Sequence, residues 1–319
     1  MRIHLSRIFL VALLIAVWPV HASSVRIAVI SDLNESYGST LYRSHVTKAI
    51  DRIIEIKPDL VLSTGDMVAG QRLHPPLSRP EIEAMWRSFH RSVSDPITQA
   101  GIPLAVTPGN HDASAYESFT LEREIYRQQW QTRKPAVKFI DDAQYPFYYA
   151  FTSGGILFIS LDATKVGHLS TEQKTWLKQL LTEHGPHYKR RVVFGHIPLW
   201  PLAVGREQDI LADHELESLL QQANVDIILN GHHHAYYPGY KDGIRYISQA
   251  CLGAGPRSLL GSGHRSKRSI TVIEFDDEGA YSVEAYNSPD FTTQVDISTL
   301  PQHIRTKWAE IIRNDLVAE

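Results

Sequence analysis

Apolar, β-branched runs alternate with amphipathic stretches along most of the chain, which predicts strands alternating with helices. Residues 25–30, 59–63, 102–106, 191–194 and 226–229 read as short buried strands. Residues 145–151 and 156–161 read as two more, joined through the hairpin signal Ser153-Gly154-Gly155. Val46, Ala49, Ile50, Ile53 and Ile54 fall at helical spacing and predict a helix within 41–57, stopped by Pro58. Residues 85–93 and 215–223 are helical in pattern, and Ser170-Thr171-Glu172-Gln173 is a capping box that opens a helix to about Leu181. Beyond Gly231 the pattern turns mostly β, with hairpins near Lys241-Asp242-Gly243 and Asp277-Glu278-Gly279. Ile304, Trp308, Ile311, Ile312 and Leu316 share one side of a last helix expected after Pro301. No repeat or Pro/Ser-rich linker divides residues 23–319, so they read as one α/β domain, a two-sheet β-sandwich flanked by helices.

The chemistry lies where the strands end. Five of them stop at a side chain able to bind a cation: Asp32, Asp66, Asn110, His196 and the pair His232/His234. Glycine precedes the motif at Gly65, Gly109, Gly195 and Gly231, where the backbone must turn sharply. In open α/β sheets, ligands bind beyond the carboxyl ends of the strands. Two carboxylates, an amide and three imidazoles suit Mn, Fe, Zn or Co better than Ca, and the set lacks the thiolates of a structural zinc site. His233 lies between two histidines that face the same side of an extended segment, so it is expected to point away from them.

Composition narrows the picture. The 319 residues carry a formal charge of −3 and 43% hydrophobic residues, which fits a globular chain and gives no sign of a nucleic-acid-binding domain. Sixteen histidines accompany one cysteine, Cys251, so no intrachain disulfide can form. Cys251 reads as a packed thiol at a strand end, not a nucleophile. Residues 1–22 read as a signal peptide: Arg2 and Arg7, an apolar run from Ile8 to Trp18, then Val20-His21-Ala22 before the cut. That run is shorter than the roughly 20 residues that span a bilayer, so an exported, periplasmic or secreted chain without a stable membrane span is expected.

The ordered series Asp32-Leu33-Asn34, Gly65-Asp66, Gly109-Asn110-His111-Asp112, Gly195-His196 and Gly231-His232-His233-His234 resembles the calcineurin-like metallophosphoesterase superfamily over about residues 25–250. The resemblance implies two divalent or trivalent metal ions, with Asp66 bridging them. Asp32 and His234 would complete one ion, and Asn110, His196 and His232 the other. It further implies a phosphate-ester substrate, monoester or diester, attacked by a metal-bridging hydroxide. His111 would then protonate the leaving oxygen, and Asp112 would orient the His111 imidazole.

The series departs from the family at Asn34, where histidine is usual. Asn34 is expected to ligate through oxygen or to leave a water-filled position, with Glu35 a weaker substitute. The rival reading is a catalytically impaired, metal-binding scaffold of the same fold, and Asn34 is its support. The chain also lacks the arginines of serine/threonine protein phosphatases beside the second and third motifs, and the tyrosine that purple acid phosphatases place just after Gly-Asp. Around the site, Arg257 is a candidate phosphate clamp, and Trp200, Tyr236 and Tyr237 are candidates for a substrate rim. Asp162 reads as a turn or capping residue. The basic run at 264–268 reads as a solvated loop, with His168 and His264 as loop histidines open to substrate.

Overall fold

The computed structural model describes residues 24–253, 255–263 and 265–317, so the expected signal peptide and His264 lie outside the described residues. The strands are β1 (Val25–Ile30), β2 (Leu60–Ser63), β3 (Leu104–Val106), β4 (Lys138–Asp141), β5 (Tyr149–Ser153), β6 (Ile156–Ser160), β7 (Arg190–Phe194) and β8 (Ile227–Asn230). They continue as β9 (Tyr237–Lys241), β10 (Ile244–Ser248), β11 (Ser269–Phe275), β12 (Tyr281–Asn287), β13 (Thr293–Gln294), β14 (His303–Arg305) and β15 (Glu310–Arg313). The α-helices are α1 (Ser44–Ile56), α2 (Arg79–Phe89), α3 (Asp95–Gln99), α4 (Asn110–Ala113), α5 (Thr120–Gln131), α6 (Thr171–His184) and α7 (His214–Gln222).

Two sheets form the centre, with helices flanking them. One has the order β13-β12-β11-β1-β2-β3, and the other β14-β15-β9-β10-β8-β7-β6-β5-β4. Within them β1, β2 and β3 run parallel, as do β6, β7, β8 and β10. The parallel strands are apolar on both faces because both are covered: every residue of β2, β6 and β8 is buried. The two sheets are tied together by the Tyr149 hydroxyl, which donates to Val106 O at 2.7 Å and accepts from Val106 N at 3.1 Å. Thr271 and Gln249 make a second tie at 2.6 Å. This face-to-face packing brings the carboxyl ends of β1–β3 and β7–β8 to one place.

The expected helices largely form. α1 buries Val46, Ala49, Ile50 and Ile53 and stops at Lys57, which is left-handed (φ 48°), just before Pro58. The Ser170 side chain caps α6, accepting from Gln173 N at 3.2 Å. The helix expected at 85–93 starts earlier, at a capping box of Ser78 and Glu81, and passes into a π-helical turn at His90–Ser94. All three expected hairpins are present, as β5/β6, β9/β10 and β11/β12.

The last helix is a correction. After Pro301 the chain forms the hairpin β14/β15 on the edge of the second sheet, paired to β9. Ile304 and Ile311 are direct cross-strand partners, both buried. The turn closes on Thr306 Oγ1, which accepts from Trp308 N and Ala309 N. Spacing that suits a helix face is satisfied here by two β-branched residues on one face of a sheet edge. Arg313 fixes the end of the hairpin by donating to Ile297 O and Leu300 O and pairing with Asp315.

Candidate metal centre

The proposed ligands come together in the loops after β1, β2, β3, β7 and β8. Asp66 Oδ2 lies 3.2 Å from His196 Nε2, and Asp32 Oδ1 lies 3.1 Å from His234 Nε2 and 4.0 Å from His196 Nε2. Ligand atoms of Asp66, His196 and His232 all lie within 4.8 Å of one another, and all three residues are buried.

The local backbone is bent to present them. Asp32, Asp66, His232 and His234 all adopt positive φ (50°, 56°, 65° and 52°), a conformation that costs a non-glycine residue about 1–3 kcal/mol. Four strained residues in one cluster indicate a geometry kept for ligand binding. Close packing explains two of the glycines: a Cβ at Gly109 would lie 2.1 Å from Asp66 N, and one at Gly231 would lie 2.1 Å from Ser31 Oγ.

Hydrogen bonds fix how each side chain points. Asp32 Oδ2 accepts from Ser31 Oγ at 2.6 Å and from His232 N at 3.0 Å. His196 donates from Nδ1 to Thr64 O at 2.8 Å, which aims Nε2 at the centre. His234 donates from Nδ1 to Gly255 O at 3.3 Å. His233 turns away as expected: Nδ1 accepts from Leu202 N and Nε2 donates to Asp209 O.

Among the described residues Asn34 Oδ1, Asn110 Oδ1 and His232 Nε2 are buried without a hydrogen-bond partner, and His196 Nε2 has only the nearby Asp66 carboxylate. Desolvating such atoms without compensation is costly. The two amide oxygens and His232 Nε2 are acceptors, and His196 Nε2 becomes one once its proton is displaced, so the set fits a cation. The charge state agrees. Burial works against ionisation, yet the charges of His234 and His196 outweigh it and hold Asp32 well below the usual carboxylate range. Burial likewise works to raise Asp66, but the charges of His196 and His111 outweigh it and lower it. Asp66 raises His196 to about 9 and Asp32 raises His234 to about 10, both against burial. Burial and the neighbouring charge of His196 keep His232 neutral. Protons shared between carboxylate and imidazole are what a bound cation displaces.

Asn34 is buried in the same loop, with its backbone N–H on Asp66 O at 3.2 Å. Glu35 pairs instead with Arg43 at 2.9 Å. An imidazole is the better donor to a borderline metal, so Asn34→His is expected to tighten the weaker metal-binding step by about tenfold or more. Calorimetric titration with Zn²⁺ checks this; unchanged affinity would mean that position 34 does not reach the ion.

His111 and Asp112 separate. His111 donates from Nδ1 to Gly70 O at 2.9 Å, which aims Nε2 at Asp66 Oδ2, 3.9 Å away. Asp112 does not orient that imidazole. Its carboxylate accepts from Met67 N, Val68 N and Gly109 N at 2.8–2.9 Å. Three backbone N–H groups of adjoining loops saturate it, so its work is to hold the loops after β2 and β3 together. Burial and the charge of Asp66 push it up to about 7.

Other expectations divide. Trp200 is buried and donates to Glu217 at 2.8 Å, and Tyr236 and Tyr237 are buried too, so none forms a substrate rim. Their neighbourhood to ligands in sequence does not carry over because each side chain turns into the core. Asp162 makes a 2.6 Å ion pair with Arg123. Cys251 is buried and not in a disulfide. Arg257 lies beside the loop that carries His232: its Nη1 donates to the His232 backbone O at 3.5 Å, and no carboxylate among the described residues forms an ion pair with it. Burial first, then the charge of Arg206, lowers its pKa, so the guanidinium is a poorly compensated cation at the site.

Two residues carry no motif signal. Gln71, left-handed at φ 68°, accepts from Asn110 Nδ2 at 2.7 Å. Glu122, buried on α5, takes the Gln71 backbone N–H at 3.0 Å on both oxygens. Burial pushes Glu122 from 4.5 up to about 7, only partly offset by that hydrogen bond. A raised carboxylate binds its proton more tightly folded than unfolded, so stability falls as pH rises from about 4.5 to about 7. Glu122→Gln keeps the acceptor without the charge. It is expected to flatten that dependence and gain about 3 kcal/mol above pH 7, read by urea unfolding at several pH values; an unchanged profile would contradict the assignment.

Comparison with known proteins gives a consistent result. Purple acid phosphatase 15 of Arabidopsis thaliana is 28% identical over 284 residues, 83% of this chain and 49% of that protein. Serine/threonine-protein phosphatase CPPED1 of Bos taurus is 26% identical over 228 residues, 68% of this chain and 64% of that protein. The chain thus spans between half and two-thirds of the length of these curated relatives. The likeness stands beside the absence here of the tyrosine and arginines named above. Among solved structures, yellow lupin purple acid phosphatase PPD1 superposes with a TM-score of 0.64 at 18% identity, covering 86% of this chain and 53% of that one. A dimetal phosphatase from Danio rerio gives 0.55 at 16% identity, covering 85% and 98%. These similarities show a shared fold. The family model for calcineurin-like phosphoesterases matches residues 25–236, the span that holds every proposed ligand, and the chain belongs to that family.

Proposed function

We propose that this protein is an exported, metal-dependent phosphoesterase that hydrolyses phosphomonoester or phosphodiester bonds. The observation that carries the reading is the buried cluster of Asp66, His196 and His232, with Asp32 and His234 beside it and three acceptor atoms, Asn34 Oδ1, Asn110 Oδ1 and His232 Nε2, without partners among the described residues. Asp66 would be shared between two cations, Asp32, His234 and Asn34 serving one and Asn110, His196 and His232 the other. When bound, the pair supplies Lewis-acid activation of water and charge stabilisation on phosphoryl oxygens.

The chain's own residues do the rest. Arg257 would bind phosphoryl oxygens: its guanidinium lies against the His232 backbone carbonyl, with no carboxylate ion pair among the described residues. His111 is held by Gly70 O so that Nε2 faces Asp66, and only the doubly protonated ring would carry on Nε2 a proton to give to the leaving oxygen. Export rests on the N-terminal sequence pattern; no helix among the described residues is long and apolar enough to cross a membrane.

The test is a substrate panel on the purified protein. Turnover of an aryl phosphate with added Mn²⁺, abolished by chelator, is the expected result. No turnover of monoesters, diesters or nucleotides with Mn, Fe, Zn or Co would overturn the reading and favour a scaffold.

A further inference from the structure

An asparagine ligand has a weakness that a carboxylate lacks. Its amide presents an oxygen on one side and an NH₂ on the other, and only the oxygen can bind a cation. Something must therefore decide which side faces the centre. Asn110 is buried, its Nδ2 donates to Gln71 Oε1 at 2.7 Å, and its Oδ1 is buried without a partner. With the Gln71 amide as it stands, rotating the Asn110 amide by half a turn would set two carbonyl oxygens against each other and aim N–H groups at the metal position. We infer that Gln71 is a positioning residue of the metal centre: its side-chain carbonyl locks the Asn110 amide with the oxygen toward the cation.

The surrounding turn is built to hold Gln71 in place. Its backbone is left-handed, at φ 68°. Both carboxylate oxygens of the buried Glu122 lie 3.0 Å from its N–H. The preceding residue locks onto the His111 segment in both directions, Gly70 N donating to His111 O at 3.1 Å and Gly70 O accepting from His111 Nδ1 at 2.9 Å. A Cβ at Gly70 would meet His111 O at 2.3 Å, so the two segments can come this close only with glycine there. One two-residue turn thereby sets the orientation of an amide ligand and of the adjacent imidazole. Partners behind a ligand commonly change metal affinity by about 10–100-fold when removed.

The inference rests on Asn110 being a ligand, and the experiment separates the two. Metal-free wild type, Gln71→Leu, Gln71→Glu and Asn110→Ala are titrated calorimetrically with Mn²⁺, and their unfolding midpoints are measured. Gln71→Leu keeps the size and removes the acceptor; one of the two binding steps should weaken by about 10–100-fold while the other is unchanged. Gln71→Glu offers the same acceptor and should bind both ions at wild-type affinity or tighter. Asn110→Ala should weaken the same step as Gln71→Leu. If Asn110→Ala weakens that step and Gln71→Leu leaves it unchanged, the positioning role is overturned and the ligand reading stands. Equal weakening in Gln71→Leu and Gln71→Glu at an unchanged unfolding midpoint also overturns it. If Asn110→Ala binds both ions normally, the ligand reading fails, and the inference with it.

Discussion

Asp66→Asn is expected to lower kcat/KM on an aryl phosphate by more than about 10³-fold and to reduce the bound metal below two ions per chain. The substitution is nearly isosteric, so the loss is electrostatic. Asp66 uses both oxygens: Oδ1 accepts from His111 N at 2.8 Å, and Oδ2 sits 3.2 Å from His196 Nε2. An amide presents NH₂ to one of these sides, where it either faces a backbone donor or sits among cation ligands. The backbone contribution survives, since Asp66 O accepts from Leu33 N and Asn34 N whatever the side chain is. The fold should therefore persist, and circular dichroism with metal analysis separates loss of the centre from loss of structure. A variant that keeps two ions and activity within tenfold of wild type would remove Asp66 from the bridging role.

His111→Ala should lower kcat by about 10²–10⁴-fold while both ions stay bound. The imidazole is anchored by Gly70 O and packs against the Tyr37 ring, 5.3 Å between centroids, and the backbone N–H that meets Asp66 is untouched, so truncation costs the fold about 1 kcal/mol. A proton donor matters most where the leaving oxygen is basic. The loss should thus be larger on an alkyl phosphate than on a nitrophenyl phosphate. Steady-state kinetics on the two esters decide it: the same loss on both contradicts proton donation and leaves charge stabilisation as the role of His111.

Much of this architecture is legible in the sequence because it depends on local patterns. Apolar β-branched runs ending in polar residues mark β1, β2, β3, β7 and β8, and those ends do gather Asp32, Asp66, His196, His232 and His234. His233 turns away as the sequence suggests, but not by strand alternation: His232 and His234 are left-handed, so the bent backbone sets its direction. Contacts set by distant backbone are not legible. Asp112 lies beside His111 in sequence, yet its partners are backbone N–H groups of residues 67, 68 and 109. The acceptor that orients His111 is the carbonyl of Gly70, which no side-chain motif encodes. Gln71 has no signature beyond the glycine before it. The C-terminal hairpin was hidden because Ile304, Trp308 and Ile311 fit a helix face equally well, and the neighbouring strand β9 decides between the two. Trp200, Tyr236 and Tyr237 were placed at a rim by proximity in sequence, whereas burial puts them in the core.

The most direct measurement is the rate of aryl phosphate hydrolysis as Mn²⁺ is added stepwise to metal-free protein. A binuclear centre predicts little turnover below one equivalent and a plateau at two, with the same two-equivalent end point by metal analysis. A plateau at one equivalent, or two bound ions without turnover of any phosphate ester, would contradict it.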